Sequence, residues 1–288
     1  CRKHTVSLFG RGFDSLLIHQ NLHISFRAMK VKEVAETLER FAPLPLQEGY
    51  DNAGFQIGLT AAEDVSGVLL CLDVTEEVIA EAVRKGCNLI VAHHPLLFRG
   101  VKCIDRSTIV GRCVLDAISA GIGIYAAHTN LDNARGGVNF AAAKMLGLEG
   151  VRFLQPVAGG EGGSGIIGTL SRPMPAADFL QFLKTTFHAD SLAYAAGPQS
   201  EINTVAFCGG AGDFLVDEAV KQGADIFITG EMGYHRYFGH GNELWLATLG
   251  HYETEQHTIA LLHEVLAEAL PGLRLVETDV NTNPLRYI

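Results

Sequence analysis

Imidazoles and carboxylates recur at three points of this sequence where a strand or helix is expected to start or stop. The sharpest is His93-His94, directly after the apolar run Leu89–Ala92. Adjacent side chains at a strand end point to opposite sides, so one ion would rarely take both, whereas two ions side by side could take one each. A plainer arrangement is also open, with one imidazole buried and hydrogen-bonded and the other closing a loop. The second point is His251 with Glu255, at the entry of an amphipathic helix expected over Glu253–Leu270, where Thr258, Leu261, Leu262, Val265 and Leu266 follow helical spacing. Residues four apart share a helix face, so this pair can reach a common ion; Glu255 could equally favour the helix N-terminus. The third point is Asp132, in a turn before Gly136-Gly137 and a helix expected over Val138–Leu146. Asn130, Asp132 and Asn133 are ordinary turn residues, and His128 is either a further ligand or a group that orients Asp132.

Together His93, His94, Asp132, His251 and Glu255 supply three imidazoles and two carboxylates. Mixed nitrogen and oxygen donors suit zinc, iron, manganese or nickel rather than calcium or magnesium. A glutamate can bridge two ions about 3.5–4 Å apart, so the set reads as a dinuclear site for two divalent ions. Few protein donors per ion leave positions open for water and substrate, which marks a catalytic site better than a structural one. The chemistry this supports is hydrolysis at an electrophilic carbon or phosphorus, with a nearby His or Glu moving the proton. Glu231 and His235, with His240, lie in Gly230–His240 and are candidates for that transfer; each alone also reads as a loop hydrogen bond. Cys208-Gly209-Gly210-Ala211-Gly212-Asp213, between a strand and a helix, could turn backbone N–H groups toward a phosphate. Asp213 there would repel an anion and reads more simply as an N-cap.

The elements that must carry these groups are legible from periodicity. Val31, Val34, Ala35, Leu38 and Phe41 follow helical spacing, and Pro43 and Pro45 end that helix. A short strand is expected at Phe55–Gly58 and a buried one at Val68–Leu72. Thr75–Lys85 reads as a helix with Glu76-Glu77 in its first turn, Arg84-Lys85 in its last and Gly86 as its stop. The same grammar returns later. At an offset of 137 residues, Glu81–Ala92 faces Glu218–Thr229 with four of twelve positions identical, and Cys71 falls on Cys208. At an offset of 123, His128–Asp132 falls on His251–Glu255, both of the form His-x-x-x-acid and both after apolar runs, Ile122–Ala127 and Leu244–Leu249. The expected fold is therefore α/β: two similar lobes, residues 29–149 and 150–288, with mixed and mainly parallel sheets and the metal site between them. The join falls near Gly147–Gly168, where Gly159–Gly165 reads as a hairpin or loop. Ligands of such sheets bind outside the carboxyl ends of strands.

Composition narrows the remaining classes. With 48% hydrophobic residues among 288 the chain can bury a sizeable core. It has no apolar run of the roughly 18 residues that a membrane helix needs. The formal charge of −10 argues against nucleic-acid backbone binding as a main task. The six cysteines contain no Cys-x-x-Cys pair, the usage of a reduced compartment such as the cytoplasm; zinc-finger and disulfide-framework readings fail. Residues 1–28 hold Arg2, Lys3, Arg11 and Arg27 against Asp14 alone. They read as an upstream extension, a cloning remnant or an organellar targeting segment. The favoured expectation is an extension outside the fold, with Met29 as the start.

At Tyr50–Gly58, Ala92-His93-His94-Pro95-Leu96, His128–Asp132 and His251–Glu255 the sequence resembles the NIF-three-like dinuclear metal proteins, whose bacterial members are often labelled GTP cyclohydrolase type 2 homologs. The resemblance spans Met29 to Ile288, with Tyr50 where tryptophan is common. It implies one ion held by His93, Asp132 and Glu255, a second by His94, His251 and Glu255, and a ring-shaped homohexamer with the sites facing an inner cavity. With about a hundred residues between the metal-bearing halves, this resembles the family's short form. The function implied is metal-dependent hydrolysis of a nucleotide or related phosphorylated small molecule, GTP ring opening being one possibility. The alternative is a non-catalytic metal-handling or protein-interaction assembly.

Overall fold

Short apolar strands at the centre of each half alternate with helices, and this pattern builds two sheets whose central strands are covered on both faces. The computed structural model describes residues 28–58, 63–159 and 161–288. The expected extension, residues 1–28, lies outside these except for Ala28. The first half runs α1 (Val31–Phe41), β1 (Gly54–Ile57), β2 (Val68–Cys71), α2 (Glu76–Arg84), β3 (Leu89–Ala92), α3 (Ile109–Ser119), β4 (Gly123–Ala126), α4 (Thr129–Asp132) and α5 (Val138–Met145). The second half runs β5 (Glu149–Pro156), β6 (Gly163–Pro175), α6 (Ala176–Thr186), β7 (Ala193–Ala195), β8 (Glu201–Cys208), α7 (Val216–Lys221), β9 (Ile226–Thr229), β10 (Trp245–Thr248), α8 (His251–Glu255), α9 (Thr258–Ala269) and β11 (Leu275–Glu277).

The first sheet has the order β1-β4-β3-β2-β11, and the second β5-β6-β8-β9-β10-β7. Both are mixed. In the first, β4, β3, β2 and β11 pair in parallel and only β1 is antiparallel. In the second, the parallel set is the central β8-β9-β10, flanked by antiparallel β6 and β7. Burial on both faces explains the unbroken apolar runs of the parallel strands. Val68 and Leu70 face the core under α1 and α9, while Leu69 and Cys71 face the one under α2 and α3. In the second sheet Ile226 and Ile228 turn toward α6, and Phe227 turns toward α7.

The duplicated grammar maps onto matching units: β2-α2-β3 in the first sheet and β8-α7-β9 in the second, with Cys71 and Cys208 each ending its strand. A cut at 149/150 would nevertheless part β11 from its neighbour, since Leu275–Glu277 pairs with Val68–Leu70 of the first sheet. Three local expectations change. The helix expected over Glu253–Leu270 is two helices, α8 and α9. They part at Gln256-His257, whose side chains donate instead to the carbonyls of Phe187 and Val138 at 2.9 and 3.0 Å. Asp132 closes the one-turn helix α4 rather than a loose turn. Gly163–Gly165 belongs to β6, not to the connecting hairpin. Thr75 caps α2 by accepting from the Val78 N–H at 3.2 Å.

Among the described residues no helix is long and apolar enough to cross a membrane. The second core is anchored by Phe187 stacked on Phe207, with ring centroids 5.4 Å apart, both fully buried. Phe207→Ala is expected to cost about 3–5 kcal/mol in denaturant unfolding. A cost below about 1 kcal/mol would mean that this pair does not anchor the core.

Candidate metal centre

The carboxyl ends of the parallel strands converge on one cleft. Asp73 follows β2, His93-His94 follow β3 and His128 follows β4; Gly209-Gly210 follow β8, Glu231 follows β9 and His251 follows β10. All five residues expected as ligands meet there. Ligand atoms of His93, Asp132 and Glu255 lie within 4.8 Å of one another, as do those of His94, His251 and Glu255, and those of His93, His94 and His128. Each group could hold a metal ion.

Glu255 Oε2 is the common point. His94 Nε2 lies 3.0 Å from it, His251 Nε2 3.1 Å and His93 Nε2 3.8 Å. Each imidazole is fixed by its other nitrogen. His93 Nδ1–H donates to the Ala127 carbonyl at 2.8 Å, so Nε2 carries the lone pair. That atom is buried and has no hydrogen-bond partner, and it faces Asp132 Oδ1 at 3.7 Å. His94 Nδ1 is held by Asp73 at 2.7 Å and His251 Nδ1 by Glu231 at 3.0 Å. Asp73 is itself held by the Thr282 hydroxyl at 2.6 Å. His128 Nδ1 is held by Asp51 at 2.7 Å, and Asp51 also accepts from the Thr129 backbone N–H and hydroxyl.

The electrostatics are compatible with a cation at the cluster. Burial, reinforced by the charge on Glu255, drives the Asp132 carboxyl well above the usual carboxylate range. Burial acts the same way on Glu255, but three facing imidazoles outweigh it and hold that carboxyl well below its ordinary value. Burial pushes His93 down to about 4, so its ring is neutral near pH 7. For His94 and His251 burial is overcome by hydrogen bonds, from Asp73 and Glu255 for the first and chiefly from Glu255 for the second, raising them to about 10 and about 9. A neutral buried imidazole with an unpartnered lone pair, beside two carboxylates that repel each other, fits a divalent cation.

Of the residues expected to move protons, Glu231 reaches the cluster only through His251. His235 packs against Tyr234, with ring centroids 5.4 Å apart, and His240 pairs with Glu243 at 2.8 Å. Neither is among the residues lining the cleft of about 380 Å³ above the cluster. His128 does line it, as do Tyr50, Phe98 and Phe214, three largely exposed rings at its mouth. The glycine-rich turn after β8 is not a phosphate cradle. Its N–H groups are engaged internally, Gly209 to Asn139, Gly210 to Thr254 and Gly212 to Thr229, at 3.0, 3.1 and 2.9 Å. Asp213 does not cap its own helix but accepts from the Gly233 N–H at 3.2 Å, tying down the loop that carries Glu231. Asp73 and Asp51 also belong to the site, and their sequence signal is slight: an acid just after β2 and an acid beside Tyr50.

An α/β chain of two sheets that gathers imidazoles and carboxylates at strand ends, around an open cleft, belongs to the class of candidate metal-binding proteins. The profile of the Duf34/NIF3 (NGG1p interacting factor 3) family matches residues 29–284. The chain belongs to that family. A Clostridium acetobutylicum protein named GTP cyclohydrolase 1 type 2 homolog is 35% identical over 247 residues, covering 84% of this chain and 91% of its own. A Clostridium perfringens protein of the same name is 34% identical over 264 residues, covering 90% of this chain and 100% of its own. The crystal structure of a Staphylococcus aureus hypothetical protein matches with a TM-score of 0.83 at 27% identity, covering 91% of this chain and 100% of that one.

Two measurements probe the geometry. Gly210 has φ +60°, and a Cβ there would lie 2.3 Å from Glu255 Oε1. Gly210→Ala is expected to abolish metal retention, whereas Gly121→Ala, with φ +68° and open space around it, bears only the backbone cost of about 1–2 kcal/mol; elemental analysis of both decides. For Asp51, burial alone would raise the carboxyl, but the hydrogen bonds from His128 and Thr129 prevail and hold it at about 2. A depressed carboxylate stabilises the fold above its unfolded pKa of about 4 and loses that contribution as pH falls toward 2. The acid limb of the stability curve is therefore expected to flatten in Asp51→Asn; an unchanged limb would contradict this.

Proposed function

We propose that this protein is a metal-dependent hydrolase holding two divalent ions, drawn from zinc, iron, manganese and nickel. Its substrate would be a nucleotide or related phosphorylated small molecule. The observation that carries the reading is the donor set around Glu255 Oε2, two imidazole nitrogens at 3.0 and 3.1 Å and the unpartnered, buried Nε2 of His93 beyond them. In this assignment His93, Asp132 and Glu255 hold one ion, and His94, His251 and Glu255 the other. Ions so held supply Lewis-acid activation of water and of an electrophilic carbon or phosphorus.

The protein's own groups divide the remaining work. His128 is the proton-transfer residue: with Nδ1 held by Asp51, its Nε2 is the nitrogen that takes and returns a proton in the cleft. Asp51 keeps the tautomer and the ring orientation, as a carboxylate does for a catalytic imidazole. Glu231 holds His251 and does not itself meet substrate. Tyr50, Phe98 and Phe214 offer faces on which a planar base can stack. The relatives named for GTP cyclohydrolase make GTP ring opening the first reaction to try. The homohexamer implied by the resemblance is part of the same proposal, and sedimentation of the purified chain measures it.

The test is to purify the protein with its native metal and screen nucleotides, cyclic nucleotides and phosphoesters. A His94→Ala/Glu255→Ala variant and a His128→Gln variant run beside it. Turnover is expected to vanish together with bound metal in the double variant. In His128→Gln it is expected to fall by about 10²–10⁴-fold with metal content unchanged. If no substrate turns over above the double variant, the hydrolase reading is lost. Well under one ion per chain in the wild type would remove the metal assignment itself.

A further inference from the structure

The two groups of donors that share Glu255 are not alike, and the difference lies in what stands behind each imidazole. One group offers a single nitrogen, His93 Nε2, with the carboxylates of Asp132 and Glu255. That imidazole leans on a neutral acceptor, the Ala127 carbonyl, at 2.8 Å. The other group offers two nitrogens, from His94 and His251, with Glu255. Both of these imidazoles lean on carboxylates, Asp73 at 2.7 Å and Glu231 at 3.0 Å. A carboxylate that accepts the Nδ1–H raises the donor strength of Nε2 and fixes the ring, whereas a carbonyl does so more weakly. Burial differs as well. The His93 side chain is fully enclosed, while the side chains of His94 and His251 are 22% and 35% exposed.

Building on the two-ion reading above, we infer that the two positions differ in metal preference and that Asp73 and Glu231 set the difference. The nitrogen-rich position, with two carboxylate-backed imidazoles, selects a borderline-soft ion such as zinc or nickel. The oxygen-rich position, one carbonyl-backed imidazole with two carboxylates, accepts a harder ion such as manganese. Asp73 and Glu231 are positioning residues: each acts through a histidine and donates nothing to an ion. Their anchoring differs. Asp73 is pinned by Thr282 at 2.6 Å, whereas Glu231 stands on an exposed loop tied down by the hydrogen bond from Gly233 to Asp213. Removing either carboxylate weakens the nitrogen-rich position and leaves His93 and Asp132 untouched.

The experiment is a metal competition read without turnover. Chelator-stripped full-length protein is loaded with two equivalents of manganese, then titrated with zinc. Manganese electron paramagnetic resonance and total metal content are followed. The expected result is that the first equivalent of zinc displaces one manganese, leaving the spectrum of an isolated manganese ion. Crystals of that species would show zinc between His94 and His251 by anomalous scattering at the zinc edge. In Asp73→Asn and in Glu231→Gln, zinc affinity at this position is expected to fall by about 10–100-fold, while the affinity of the other position for manganese stays unchanged. That second affinity also serves as the control for folding. Zinc distributed equally over both positions in the wild type overturns the inference and leaves the two-ion reading standing. So does either variant keeping full discrimination. Failure of the wild type to bind two ions defeats both.

Discussion

One oxygen atom governs this molecule. Glu255 Oε2 is approached by three imidazole nitrogens, and the partly buried carboxylate of Asp132 stands beside the same cluster. Two carboxylates in such surroundings repel each other, so positive charge between them favours the arrangement. The rest of the architecture serves that requirement. β3 and β4 deliver His93 and the carbonyl that orients it, while β10 and α8 deliver His251 and Glu255. The break between α8 and α9 lets the first helix sit at the cleft and the second pack under the first sheet.

The core of the fold was legible where its strands are fully buried, as β2, β3, β4 and β9 are. A run such as Leu89–Ala92 or Ile226–Thr229 has no polar face to hide its boundary, and Gly86 and Gly223 mark where the preceding helices stop. The break at Gln256-His257 was not legible. The pattern from Glu253 to Leu270 is continuous as periodicity, and the interruption depends on two distant carbonyls, those of Phe187 and Val138, that only the packed lobes supply. The return of β11 to the first sheet was hidden for a similar reason, since three residues carry too little pattern to name a partner 200 positions away.

The cluster itself was readable because imidazoles and acids with metal-ligand spacing follow strand ends in both halves. What escaped was the ring of groups behind it. An aspartate after a strand, such as Asp73, looks like any turn former until a histidine is seen against it. Glu231 is legible as a candidate acid in Gly230–His240, but only the packed structure shows that its carboxylate faces His251 Nδ1. His235 was drawn in by its place in a histidine-rich loop, yet its neighbours are Tyr234 and Phe238. The glycine-rich turn after β8 resembles a phosphate loop in composition only. Gly209 and Gly210 let the backbone pass close to Glu255.

The final strand carries a consequence for how the molecule comes into being. β11 closes the open edge of β2, and Thr282, a few residues beyond it, steadies Asp73 and so His94. Glu255 also lies 161 residues beyond His94. A chain emerging from the ribosome at about 5–20 residues per second therefore exposes His93 and His94 long before it owns the carboxylate that joins them. The donor cluster is in this way closed only after the chain has been made through Glu255. A chain made only as far as β4 holds scattered histidines, and the donor cluster comes together only with α8 and with the closing of the sheet edge by β11.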